Sequence, residues 1–160
     1  MGKHLLATFV DPAALRVEAD TQSGHRIVLD GGYGPDGPGP TEVLLAALAG
    51  CTSMDVASIL RKKRQAVGTY QIAVEAEQAE EHPRVFTRIV IEHRVAGDVT
   101  AEALRRSIEL SATKYCPVNA MLSAGVQIEH RYRLERPDEE ATSALVVTTG
   151  PTGAEAALAS

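Results

Sequence analysis

Leu15, Val17 and Ala19 alternate with Arg16, Glu18 and Asp20, the period-two pattern of a strand with one dry face. Thr21-Gln22-Ser23-Gly24 supplies turn chemistry, and His25, Ile27 and Leu29 begin a second strand, so residues 13–30 predict a hairpin. Residues 31–40, GGYGPDGPGP, hold five Gly and three Pro and predict a loop. At Thr41 the period changes. Pro40-Thr41-Glu42 offers a helix start, with the Thr41 hydroxyl as cap and the Glu42 carboxylate at the positive end of the dipole. Val43 to Leu60 reads as helix and ends in Arg61-Lys62-Lys63-Arg64, basic residues at the negative end. Its first nine residues, Val43 to Cys51, turn more than twice without a polar side chain. A helix apolar on all faces is buried on all faces, and one small sheet covers only one of them, so the pattern predicts a partner subunit.

Strand patterns return at Thr69–Gln78 and Arg84–Val95, joined by a turn containing Pro83. Thr100–Thr113 predicts a second amphipathic helix, with Leu104, Ile108, Leu110 and Ser111 near one stripe. Cys116-Pro117 opens a third, short helix, because proline is best tolerated at the first helical position, and Gly125 closes it. Val126–Leu134 alternates cleanly and predicts a strand. Three helices and about six antiparallel strands, ordered ββ(β)–α–ββ–α–α–β, predict an α+β fold. Residues 1–136 form the expected single domain. Residues 137–160 show no sustained period and predict a flexible tail, with a short edge strand at Leu145-Val146-Val147 as the alternative.

Composition narrows the function classes. The chain has 160 residues, 44% of them hydrophobic and 23% charged, and a formal charge of −5, which argues against a polyanion partner. Four Tyr, two Phe and no Trp offer no stacking platform for single-stranded nucleic acid. The run Val43–Cys51 is shorter than the roughly 20 residues of a membrane span, and Met1-Gly2-Lys3-His4 does not open a secretory signal. The expectation is a cytoplasmic protein, without membrane or nucleic-acid partners. Two cysteines are no disulfide framework and read there as free thiols or a working redox pair.

Cys51, deep in the apolar helix, fits a small buried hydrophobe as well as a nucleophile. Cys116 stands at a helix start, where the dipole and free N–H groups favour a thiolate. The two thiols with His25, His93 or His130 have the composition of a Cys₂His₂ site, but no pair shows the short spacing of a zinc module, so no metal centre is expected. His93 and His130 lie on apolar strand faces and read as core histidines with satisfied hydrogen bonds. The Gly-rich loop lacks the Lys and Ser/Thr of a P-loop.

Two stretches carry a resemblance. Gly39-Pro40-Thr41-Glu42-Val43-Leu44-Leu45-Ala46-Ala47-Leu48-Ala49-Gly50-Cys51-Thr52-Ser53-Met54-Asp55-Val56 resembles the central helix of the OsmC/Ohr family, the osmotically inducible and organic hydroperoxide resistance proteins. Lys114-Tyr115-Cys116-Pro117-Val118 resembles the segment around that family's second cysteine, and the likeness spans about residues 13–134. It is nearest to the OsmC-like branch. The resemblance implies an OsmC-like fold, antiparallel strands with a central buried helix, in an intertwined homodimer. It implies a thiol peroxidase working without metal, flavin or haem. Cys51 matches the peroxidatic cysteine, which attacks a hydroperoxide and becomes a sulfenic acid. Cys116 matches the resolving cysteine, and the resulting disulfide is reduced by a dihydrolipoyl protein, thioredoxin or a small thiol. The family also uses a Glu and an Arg at the peroxide. Its Glu lies ten residues before the cysteine, where this chain has Thr41, so Glu42, nine before Cys51, is the candidate. Arg26 is the candidate arginine by its place ahead of the loop. A non-enzymatic redox-responsive protein and a module binding a small lipophilic ligand are the competing functions.

Overall fold

The computed structural model describes residues 2–31 and 34–151. They fall into two compact units, divided between Ala46 and Ala47. In the first, β1 (Leu5–Asp11), β2 (Arg16–Thr21) and β3 (Arg26–Leu29) form an antiparallel sheet in the order β1-β2-β3. The predicted hairpin is β2–β3, with Ala19 opposite Ile27. Strand β1 has no counterpart in the sequence pattern, because LLATFVD does not alternate, and all seven of its residues are exposed. Asp11 ends it by accepting from the amides of Ala13 and Ala14 at 3.0 and 3.2 Å, a side-chain turn that needs no glycine.

The Gly/Pro segment wraps the Asp30 carboxylate, which accepts from the amides of Gly34, Asp36 and Gly37 at 3.2–3.4 Å. A Cβ on Gly37 would stand 2.6 Å from the Val28 carbonyl oxygen, so the chain can pass there only as glycine. Helix α1 (Pro40–Lys62) follows. Pro40 occupies the first helical position, and Glu42 reaches back to accept from the Gly39 amide at 2.8 Å. The predicted cap at Thr41 is therefore corrected. With the helix beginning at Pro40, Glu42 falls at the third position, from which a side chain can bond the preceding backbone.

The second unit holds β4 (Ala66–Gln78), β5 (Phe86–Asp98), α2 (Ala101–Leu110), a π-helical turn (Ser111–Tyr115), α3 (Pro117–Leu122), β6 (Gln127–Glu135) and β7 (Thr142–Thr149). Its sheet has the order β4-β5-β6-β7. The α+β class stands as predicted, with one correction: β5 and β6 pair in parallel, Arg88 to Gln127 through Ala96 to Glu135. The connection between them carries two helices, long enough to bring the chain back to the starting end of the sheet. The part of the tail predicted flexible that spans Thr142–Thr149 is edge strand β7, as the Leu145-Val146-Val147 alternative allowed, and it pairs with β6. Residues 152–160 lie outside the described residues.

The core of this unit gathers Val56 and Leu60 of α1, Val95 of β5, Leu104 and Ile108 of α2, and Tyr132 and Leu134 of β6. Leu48, Thr52, Val56 and Leu60 are the buried residues of α1, a single stripe at intervals of four. Leu44 and Met54 remain 38% and 74% exposed, so in one chain the helix is covered on one face only. Helix α1 is long enough to span a membrane and holds an 18-residue window with a mean hydropathy of 1.9, where the run Val43–Cys51 alone is too short. Its buried stripe packs into the protein core, as that of a core helix does. Leu60, fully buried, carries much of the contact: Leu60→Ala should lower stability by about 3 kcal/mol in urea unfolding, through lost transfer energy and the cavity left behind. A loss below about 1 kcal/mol would place Leu60 outside the core.

Candidate functional site

Cys51 and Asp55 are four residues apart on α1 and share a face. Cys116 reaches them through an unusual junction. Helix α2 does not stop at Leu110 but widens into the π-helical turn, closed by the Cys116 amide bonding the Ser111 carbonyl at 2.9 Å. Such turns recur at functional sites because they displace side chains from regular helical phase. Pro117 then starts α3 with no N–H of its own, and Cys116 becomes the N-cap. The two sulfurs and a carboxylate oxygen of Asp55 lie within 4.8 Å of one another. Both cysteines are free thiols.

The amides that open α3 act on both sulfurs. The Asn119 amide donates to Cys116 Sγ at 3.3 Å, and the Val118 backbone amide favours the ionised form of Cys51. The Thr52 hydroxyl adds a long contact to Cys116 Sγ at 3.6 Å. Ser111 donates its hydroxyl to Asp55 at 3.0 Å and fixes that carboxylate. Burial, and after it the adjoining Cys116 thiol, push the Cys51 thiol up to about 11, and the negative charge of Asp55 acts in the same direction. The Val118 amide opposes them and loses. Within this cluster, Cys51 at neutral pH is a thiol.

Behind Cys116 runs a buried polar chain. Asn119 donates from Nδ2 to the Ala112 carbonyl at 2.9 Å and to Thr149 Oγ1 at 3.2 Å. A carbonyl can only accept, so the amide orientation is fixed and Oδ1 faces His130 Nε2 at 2.9 Å. His130 must therefore carry its proton on Nε2, leaving Nδ1 to accept from His93 Nε2 at 3.4 Å. His93 Nδ1 in turn accepts from the Tyr70 hydroxyl at 2.7 Å. One acceptor at Ala112 thus sets every tautomer as far as Tyr70. Burial, and then the neighbouring His130, push His93 down to about 3; burial pushes His130 down to about 4. Both are neutral core histidines with satisfied bonds, as the sequence predicted.

The other candidates stand elsewhere. Arg26, on β3, binds Asp20 through Nε at 2.7 Å and Glu18 through a terminal nitrogen at 2.6 Å. These partners hold its charge above even the usual arginine range. Glu42 caps Gly39. The Cys₂His₂ combination does not assemble, and Asp55 joins the thiols instead. The sequence reading missed Asp55, although its signal was available: a carboxylate one turn after Cys51 on the same helix.

Residues 32–131 match the OsmC family, described as OsmC-like protein. The chain belongs to the OsmC-like family. Protein YhfA of Escherichia coli K12 is 42% identical over 116 residues, covering 72% of this chain and 87% of YhfA. A crystal structure from Aquifex aeolicus VF5 is 28% identical with a TM-score of 0.77, covering 88% of this chain and 99% of that one. An organic hydroperoxide resistance protein OsmC from Legionella pneumophila shares the fold at 12% identity, with a TM-score of 0.62 and coverage of 84% and 97%. The OsmC-like fold of this chain is therefore shared by proteins named for hydroperoxide resistance.

The two histidines predict how this OsmC-like chain responds to acid. Their folded values lie near 3 and 4, below the ordinary 6.5. As pH falls from 6.5 the unfolded chain takes up protons that the folded chain refuses, so stability falls with pH. At about 1.4 kcal/mol per pH unit, each histidine costs roughly 2 kcal/mol by pH 5. Urea midpoints at pH 7.5, 6 and 5 should fall progressively. A flat profile over that range would contradict buried neutral histidines.

Proposed function

We propose that this protein is a thiol-dependent peroxidase in which Cys51 attacks a hydroperoxide and Cys116 resolves the product. The observation that carries the reading is the pair of free thiols brought within 4.8 Å at the start of α3, where the Asn119 amide donates to Cys116 Sγ. Cys51 is half-buried and Cys116 only 2% exposed, so Cys51 is the sulfur that peroxide reaches first. Attack converts the Cys51 thiol and ROOH into a sulfenic acid and ROH, the thiol proton going to the departing oxygen. Cys116 then displaces water from the sulfenic sulfur to form the disulfide. Two electrons from an external dithiol (a dihydrolipoyl protein, or another thiol reductant) restore both thiols, and the cycle needs no metal or organic cofactor.

With the Cys51 thiol near 11, only about one part in 10⁴ is thiolate at pH 7, so attack depends on donors that stabilise the leaving oxyanion. Glu42 and Arg26 are proposed for that role on the family likeness alone. Each must release its present partner, Gly39 for Glu42 and Glu18 with Asp20 for Arg26. The cytoplasm, which keeps thiols reduced, is the proposed compartment.

Reversed roles form a second reading, favoured by the two donors on Cys116 Sγ, the Asn119 amide and the Thr52 hydroxyl. Mass spectrometry after one equivalent of cumene hydroperoxide separates the two. Cys51→Ser should leave no oxidised sulfur, whereas Cys116→Ser should carry one oxygen on Cys51 and over-oxidise with excess peroxide. Sulfenic acid on Cys116 in the Cys51→Ser protein would establish the reversed roles. No oxidation of the wild type would leave a binding module.

A homodimer is the proposed assembly. Only one stripe of the apolar helix α1 is covered within the chain, and Leu5, Leu6 and Phe9 of β1 are 55–68% exposed. Light scattering at micromolar concentration should give twice the 17.0 kDa chain mass, and a monomer would overturn the assembly.

A further inference from the structure

The cluster at the thiol pair has three donors. We propose that reduced Cys51 and Cys116, with Asp55, hold one thiophilic divalent cation of the zinc class, with a fourth coordination position open. The inference concerns binding, and it holds or fails separately from peroxidase turnover.

The donor set is the first argument. Two sulfurs and one carboxylate select a soft or borderline cation over magnesium or calcium, which take oxygen. Geometry is the second. Donor atoms around a tetrahedral zinc stand about 3.5–3.8 Å apart, and the three here are within 4.8 Å, so small side-chain rotations close the difference. The helix supplies two of them from one face, at i and i+4, and the cap of α3 supplies the third from across.

Orientation is the third argument. Metal ligands are aimed by partners of their own, and removing such partners weakens affinity about 10- to 100-fold. Here the Ser111 hydroxyl holds Asp55 at 3.0 Å, while the Thr52 hydroxyl and the Asn119 amide hold Cys116 Sγ. Among the described residues Asp55 forms no salt bridge, its hydrogen-bond partner being Ser111. Access is the fourth. Cys51 and Asp55 are both half-buried, and Asp55 lines a cavity of about 280 Å³ together with Ser58, Ile59, Lys62, Leu110 and Tyr115, so two of the three donors are reachable from outside. On binding, each thiol gives its proton to solvent. Oxidation to a disulfide would remove both thiolates, so cation and disulfide exclude one another.

Reduced, chelator-treated protein titrated anaerobically with Co²⁺ tests this without peroxide. One ion per chain should bind, with thiolate-to-cobalt charge transfer in the near ultraviolet and the intense visible bands of tetrahedral cobalt. Zinc should bleach both. Cys51→Ser and Cys116→Ser should each lose most of the charge transfer, and Asp55→Asn should retain it while binding at least about tenfold more weakly. Circular dichroism checks that each variant folds. Alkylation of the folded wild type at both thiols gives the same test without substitution, and should abolish the bands. The proposal is overturned if stoichiometric cobalt gives no charge transfer or if the bands survive in Cys116→Ser. Wild-type affinity in Asp55→Asn also overturns it. A protein inert to peroxide that still binds cobalt through sulfur upholds the site.

Discussion

The side-chain amide of Asn119 is the contact on which the site depends. One amide group ties the π-helical turn at Ala112, the edge strand at Thr149 and the core of the sheet at His130. The same residue's backbone N–H reaches the Cys116 sulfur. The thiol is therefore anchored to the sheet through a fully buried residue rather than carried on a free loop. Because Ala112 can only accept, the amide cannot turn over without setting two buried acceptors face to face at Ala112, an expensive fault in a dry interior. Position and protonation are fixed by one constraint.

That anchoring explains why two cysteines 65 residues apart in sequence meet. Helix α1 presents Cys51 and Asp55 together, and the widened turn with Pro117 delivers Cys116 as a cap whose following amides face the sulfurs. Electrostatics then makes the pair self-restraining. Burial, and after it the second thiol, oppose the ionisation of Cys51 more than one amide favours it, and the Asp55 carboxylate adds the least. The proposed cation would relieve that conflict by replacing both thiol protons, and it would use Cys51, Cys116 and Asp55 as its frame.

Much of this was legible in the chain. The change of period at Thr41, the proline after Cys116 and the alternation from Val126 fixed the α+β order, and two motifs pointed to the cysteines. The missed parts have physical reasons. Strand β1 is exposed along its length, so no dry face imprints a period on Leu5–Asp11. The parallel pairing of β5 with β6 depends on the crossover, which local pattern does not encode. Beyond Pro137 only Leu145, Val146 and Val147 hint at a strand, and β7 takes its full length from pairing with β6. Asp55 looked like an ordinary helix carboxylate because its partner Ser111 lies 56 residues away.

The central claim is that Cys51 and Cys116 form one redox unit, and equilibration in defined dithiothreitol buffers tests it most directly. The account predicts a single two-electron transition in which both thiols disappear together into a Cys51–Cys116 disulfide. Two independent transitions, or Cys51 persisting as a thiol while Cys116 is consumed, would contradict it.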